Sequence, residues 1–176
     1  MYAILDIETG GFSITKNGIC EIGMIAVDES FNEINRLQFY IKPYLRDDLS
    51  ELVSYKEDAM SVNGITVDQL ENGINIELAC EKIVSFLNDN KIERLIGHNS
   101  DVFDIPRIEY ILNRFKGLSI SAYTKHDTMK MSKSAYNLTS YSLENLCSEF
   151  MITNKNSHSA IGDCEVTLEI FKKLIN

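Results

Sequence analysis

The hydrophobic pattern of this chain changes character partway along, and that change limits the fold more than any other feature. Tyr2 to Ile7 is a short apolar run of strand length, and Ile19 to Val27, ICEIGMIAV, is a second. Arg36 to Ile41 alternates, with Leu37, Phe39 and Ile41 on one face, which is the period of a strand. Three such runs joined by short polar loops predict an antiparallel meander. Beyond them the period lengthens. Ile76 to Leu87, Ile105 to Leu112, Tyr141 to Phe150 and Ile161 to Leu174 carry apolar residues at helical spacing, while Arg94 to Gly97 is short and apolar enough for a buried strand. Of the two prolines, Pro43 and Pro106, the second is tolerable only in a first helical turn. Strands first, then strands mixed with helices, predict an α/β sandwich with helices packed on one mixed sheet.

With 176 residues and no repeat, low-complexity stretch or linker, the expectation is a single domain over residues 1–176. No basic segment or cleavage site marks a signal peptide, and no apolar run approaches a membrane span. Cys20, Cys80, Cys147 and Cys164 stand far apart, which argues against disulfides and a thiolate metal site and points to a cytoplasmic location. The net charge of −9 argues against nucleic acid if taken alone. It is unevenly spread: Asp28 to Asp89 carries a net of −8, whereas Arg107 to Lys133 carries a net of +4, with two acids against Arg107, Arg114, Lys116, Lys125, Lys130 and Lys133. The second stretch could follow a phosphate backbone, although solvated charge explains both stretches equally well.

Three short segments carry the chemistry. Asp6 and Glu8 flank Ile7, and in a strand they project to one face. Paired carboxylates are costly together without a cation between them, and their oxygens suit Mg²⁺ or Mn²⁺. The second segment, His98-Asn99-Ser100-Asp101-Val102-Phe103-Asp104, falls where a strand hands over to a helix, with Asp101 expected as the helix N-cap. The third, His158-Ser159-Ala160-Ile161-Gly162-Asp163, opens the last helix. There Asp163 suits the helix dipole, and an imidazole beside carboxylates suits general-base work near neutrality. Taken singly, each has a blander explanation as a solvated strand edge, a cap or a surface histidine.

In the order DxE, HNxxxFD, HxAxxD, these segments resemble the DEDDh subclass of DEDD exonucleases, the DnaQ-like family. That family includes the proofreading subunit of the bacterial replicative DNA polymerase. Ile19-Cys20-Glu21-Ile22-Gly23, Asn63-Gly64-Ile65-Thr66, His126-Asp127-Thr128 and Ser142 to Cys147 look like further family elements, so the resemblance runs from Tyr2 to about Leu174. It implies a ribonuclease H-like α/β fold, a five-stranded mixed sheet flanked by helices. Asp6, Glu8, Asp104 and Asp163 would bind two Mg²⁺ or Mn²⁺ ions, and His158 would be the general base. Thr9, Gly10, Gly11, Phe12, Asn63, Asn99 and Phe103 would meet the substrate, with Tyr136 and Tyr141 as further stacking surface. Two positions depart from the family's habit: Asn63 stands where it often has histidine, and Gly10 where it often has a second threonine.

The expected activity is 3′→5′ exonuclease hydrolysis of single-stranded nucleic acid, DNA favoured over RNA, releasing nucleoside 5′-monophosphates. The expected partners are single-stranded DNA or RNA 3′ ends, with a DNA polymerase or a second copy of the chain beside them, and no membrane. Proofreading, repair and RNA 3′ trimming are all compatible settings, and a stand-alone enzyme fits the length best. The competing reading is a non-catalytic ribonuclease H-like docking module of a replication or repair complex. Such a module has no chemical need to keep all five reactive residues. A small-molecule Mg²⁺ hydrolase is a further alternative without a sequence feature of its own.

Overall fold

Every residue of the run Ile19–Val27 is buried, because this strand, β2, lies inside a sheet covered on both faces. The computed structural model describes residues 1–47, 49–156 and 158–175. β2 pairs antiparallel with β1 (Tyr2–Thr9) and β3 (Glu33–Tyr40), which completes the expected meander. On its other side β1 pairs in parallel with β4 (Arg94–Gly97), and β4 with β5 (Thr124–Asp127). The five-stranded order is β3-β2-β1-β4-β5.

Alternation along β1 assigns its side chains to two cores. Ala3, Leu5 and Ile7 point into the larger core, against α3 (Ile76–Asp89) and α4 (Asp104–Lys116). Ile4 points to the opposite face, where Ile161, Cys164, Leu168 and Phe171 of α7 (Ala160–Ile175) pack. Each fully buried Ile or Leu contributes roughly 1.5–3 kcal/mol. α5 (Thr128–Ala135) and α6 (Leu143–Phe150) pack against α7. α1 (Glu57–Asn63) and α2 (Val67–Glu71) lie in the long connection between β3 and α3.

All four helical predictions hold, the run from Tyr141 to Phe150 as a helix that starts at Leu143, and Pro106 falls within the first turn of α4. β5, with sequence TKHD, is too short and polar to announce itself, and α1, α2 and α5 span eight residues or fewer. One expectation is corrected. Asp101 does not cap α4, which begins at Asp104 with Phe103 at its N-cap and no side-chain cap. A turn intervenes, in which the Ile105 amide donates to Ser100 O (2.9 Å), and the Asp101 carboxylate instead pairs with Lys130 (2.5 Å). All four cysteines are free and buried. Among the described residues no helix is long and apolar enough to cross a membrane.

Candidate active site

Asp6 and Glu8 leave β1 on the face that α7 covers, at the carboxyl end of the strand, where crevices of α/β sheets form. Opposite Asp6 on β2 stands Gly23. A Cβ there would come within 2.5 Å of the Ala160 carbonyl carbon, so only glycine lets the start of α7 rest on the sheet. That close approach delivers Asp163, in the first turn of α7, to the pair on β1. Carboxylate oxygens of Asp6, Glu8 and Asp163 lie within 4.8 Å of one another. Asp104 arrives from α4 and is held by the sheet, its Oδ1 accepting the Ile7 amide at 3.0 Å. All four acids line one open cleft of about 380 Å³, together with Phe12, His98, Asn99 and Phe103.

Packing acids this way raises their affinity for protons. Burial first, then the charges of Asp104, Asp163, Glu8 and Glu21, hold the Asp6 carboxyl well above the usual range. Glu8 is pushed up to about 8 by burial and by Asp163, Glu21 and Asp104. Burial also raises Asp104, against the lowering pull of the Ile7 amide and the Arg107 guanidinium. Asp163 is raised by burial too, opposed by Asn154 and His158. A divalent cation resolves this conflict, because it lets the group ionise together. The donors are all carboxylate oxygens, the ligand type of Mg²⁺ and Mn²⁺. Cys164 lies close by, but its thiol donates to Gly23 O (3.3 Å) and burial pushes its pKa well up, so it is no ligand.

Two histidines stand near the acids. His98 is fully engaged: Nε2 bonds Tyr141 O at 3.0 Å and must donate there, while Nδ1 meets the Thr128 hydroxyl at 2.9 Å. Burial holds its pKa down, and it serves as a brace. His158 is exposed, sits in the left-handed backbone region (φ 62°) and lines the adjoining cavity with Leu143, Cys147 and Asn154. Asp163 and Leu143 line both that cavity and the acid cleft.

The substrate-side positions divide. Thr9, Gly11, Phe12 and Phe103 line a pocket of about 270 Å³ beside Glu8, with Lys56, Ala59 and Val62 on its far wall. Asn99 lines the acid cleft. Gly10 is outside both linings, because its amide donates to Gly18 O (2.8 Å) and its carbonyl accepts from Lys56 N (2.9 Å). Asn63 is buried, accepting from Ile65 N and donating to Thr9 O at 3.4 Å. Tyr141 uses its hydroxyl on Tyr136 O (2.7 Å) and Leu138 N (3.0 Å), which braces the connection between α5 and α6. The basic run from Arg107 to Lys133 is largely spent inside the chain. Arg107 is buried, Arg114 bonds Arg46 O and Asp47, and Lys116 and Lys130 pair with Glu81 and Asp101.

Three residues with a part in the site carried only weak signals in the sequence. Glu21 is 1% exposed and stands opposite Glu8, accepting from Ala160 N (3.0 Å) and Gln38 Nε2 (2.6 Å). It thereby ties the first residue of α7 to the sheet, and its clue was a lone charge inside ICEIGMIAV. Asp127 accepts the amides of Asn99, Met129 and Lys130 on Oδ1 and that of Asp101 on Oδ2, which pins the segment between His98 and Asp104. In the sequence it stood out only within His126-Asp127-Thr128, as part of the family resemblance, and the structure places it as the N-cap of α5. Arg107, the third, stood out only as one base of the stretch that could follow a phosphate backbone, whereas it bonds Phe103 O and Phe12 O instead.

The family RNase_T, described as exonuclease, matches residues 3–171. The PolC-type DNA polymerase III of Thermotoga maritima is 28% identical over 174 residues, which span 99% of this chain and 12% of that protein. DNA polymerase III subunit epsilon of Rickettsia felis is 28% identical over 177 residues, spanning 97% of this chain and 72% of that protein. E. coli exonuclease I, solved with a dT13 oligonucleotide, shares the fold with a TM-score of 0.81 at 23% identity, over 98% of this chain and 40% of that one. The sheet order, the helices on both faces and the match across nearly the whole chain lead to one assignment: the chain belongs to the RNase_T exonuclease family and has a ribonuclease H-like fold.

Proposed function

We propose that this chain is a 3′→5′ exonuclease acting on single-stranded nucleic acid, DNA before RNA, as a single domain over residues 1–176. The observation that carries the reading is the convergence of Asp6, Glu8, Asp104 and Asp163, from three separate elements, on one cleft where burial keeps them from ionising freely. They would hold two Mg²⁺ or Mn²⁺ ions. When bound, these cations supply the Lewis acidity that phosphodiester hydrolysis needs near neutral pH.

The chain's own residues supply the rest. His158 would take the proton of the attacking water. His98 has no free nitrogen for that task, whereas His158 adjoins Asp163. Attack on the last phosphodiester breaks the bond from phosphorus to the 3′ oxygen and leaves a nucleoside 5′-monophosphate. Phe12 and Phe103 present aromatic surface beside the acids, where unpaired bases could stack. The likeness to a DNA polymerase III epsilon subunit and to an exonuclease solved with an oligonucleotide supports DNA as substrate and a polymerase as partner.

The test is digestion of 5′-labelled single-stranded DNA and RNA with Mg²⁺ or Mn²⁺, beside an EDTA control and Asp6→Ala. The expected result is a ladder shortening one nucleotide at a time from the 3′ end, absent from both controls. Intact strands of both kinds under either metal would sink the enzyme reading in favour of a docking module.

A further inference from the structure

Arg107 is 5% exposed, one turn after Asp104 on α4. A guanidinium buried this deeply is costly unless its donors are taken up. Nη1 donates to Phe103 O at 2.7 Å and Nη2 to Phe12 O at 2.5 Å. The same group lies over the Phe103 ring, 3.7 Å from its centroid. Phe103 in turn meets Phe12 edge to face, with centroids 6.2 Å apart and planes at 81°.

The two carbonyls belong to chain segments 91 residues apart, the loop after β1 and the turn before α4. One planar fork therefore fixes both, and it backs one of the two rings as well. Phe12 is 81% exposed, an unusual state for a large ring whose backbone is so firmly held. Both rings line the acid cleft and also the pocket beside Glu8, so they stand where the two cavities meet.

From this geometry we infer that Arg107 is a positioning residue: it locks Phe12 and Phe103 into a fixed aromatic wedge against which the unpaired 3′-terminal base stacks. Its donors are turned into the protein, onto two carbonyls, and it does not serve as a phosphate contact. The inference rests on the exonuclease reading above. Lysine cannot replace the fork, since an ammonium neither bonds two such carbonyls in one plane nor stacks as a plane on the ring. Methionine keeps an apolar stem below Phe103 but removes both hydrogen bonds.

Steady-state kinetics on single-stranded DNA, with a normal or an abasic 3′-terminal residue, test this. Arg107→Met should raise KM for the normal strand about tenfold, the scale of one lost base–aromatic stack, and change kcat less than about twofold. The gap from wild type should close on the abasic strand. Arg107→Lys is measured alongside, in case the Met variant fails to fold, and should show the same KM defect. In the double variant with Phe12→Ala, removing Arg107 should add less than about twofold to the KM defect of Phe12→Ala alone. Normal kinetics in Arg107→Lys would mean that charge beside Asp104 matters rather than the wedge, and would overturn the inference. So would a loss in kcat that is the same on both strands. Wild-type protein that digests no strand overturns the exonuclease reading, and the inference with it; active wild type matched by both variants overturns only the role of Arg107.

Discussion

The two helices that close the acid cleft are fixed in different ways. The α4 wall is clamped by side chains: Asp104 to the Ile7 amide, Arg107 to Phe12 and Phe103, and Asp127 to the turn just before the helix. The α7 wall rests mainly on close fit, with the Cys164 thiol on Gly23 O and the ion pair of Glu165 with Arg36 further along the helix. Gly23 admits Ala160 against the sheet, and Glu21 accepts its amide. Ahead of α7, the exposed His158 has a left-handed backbone. The difference suggests a division of labour. On the proposed reading, the α4 wall would hold Asp104 and the aromatic rings in place, and the α7 side would bring Asp163 together with His158, the group proposed to exchange a proton with water.

The sharpest break in this comparison is Asp104→Asn. The amide oxygen can still accept from Ile7, so the wall should stay intact while a cation ligand is lost. Activity should fall by about 10³-fold or more. The metal-free melting temperature at pH 8 should hold or rise, because a raised carboxyl is gone. Near-normal activity would remove Asp104 from the site. On the other wall, His158→Ala should lower kcat by roughly 10²–10⁴-fold, as for a general base, with KM changed less than about twofold. A KM effect without a kcat effect would reassign His158 to binding.

Glu21 tests how α7 is seated. In Glu21→Ala the buried Ala160 amide loses its acceptor, a cost of about 1–3 kcal/mol visible in urea or thermal unfolding. Glu21→Gln keeps an oxygen there and should recover most of that stability. Equal losses in the two variants would show that the charge, not the hydrogen bond, seats the helix.

The smallest effect expected is on pH dependence. Carboxyls raised by folding contribute stability that is full below the unfolded value, about pH 4, and is lost as pH rises through the folded one, about 8 for Glu8. EDTA-treated protein should therefore melt lower at pH 8 than at pH 6, and Mn²⁺ should raise the midpoint more at pH 8. An Mn²⁺ shift of equal size at both pH values would count against the acids as its site.

How much was legible in the sequence follows from the range of each interaction. Hydrophobic period is written within a few residues, so β1, β2, β4, α3 and α7 were readable in the chain, as was the pairing of Asp6 with Glu8 on one face. Motif order led to Asp104, His158 and Asp163 through resemblance. Short polar elements such as β5 depend on neighbours and left no periodic trace.

By itself, then, the sequence determined the class of fold through local hydrophobic period and paired Asp6 with Glu8 through strand spacing, while Asp104 and Asp163 followed from resemblance of motif order. Tertiary structure alone decided how those acids are held and which side chains surround them. Arg107 reaches Phe12 across 95 residues, Asp104 reaches Ile7 across 97, and Glu21 reaches Ala160 across 139. It also placed His158 across Asp163 from the acid cleft, buried Arg107 and engaged Arg114, Lys116 and Lys130 in ion pairs within the chain. Partners this distant meet only when the sheet and helices close, so no local pattern could announce them.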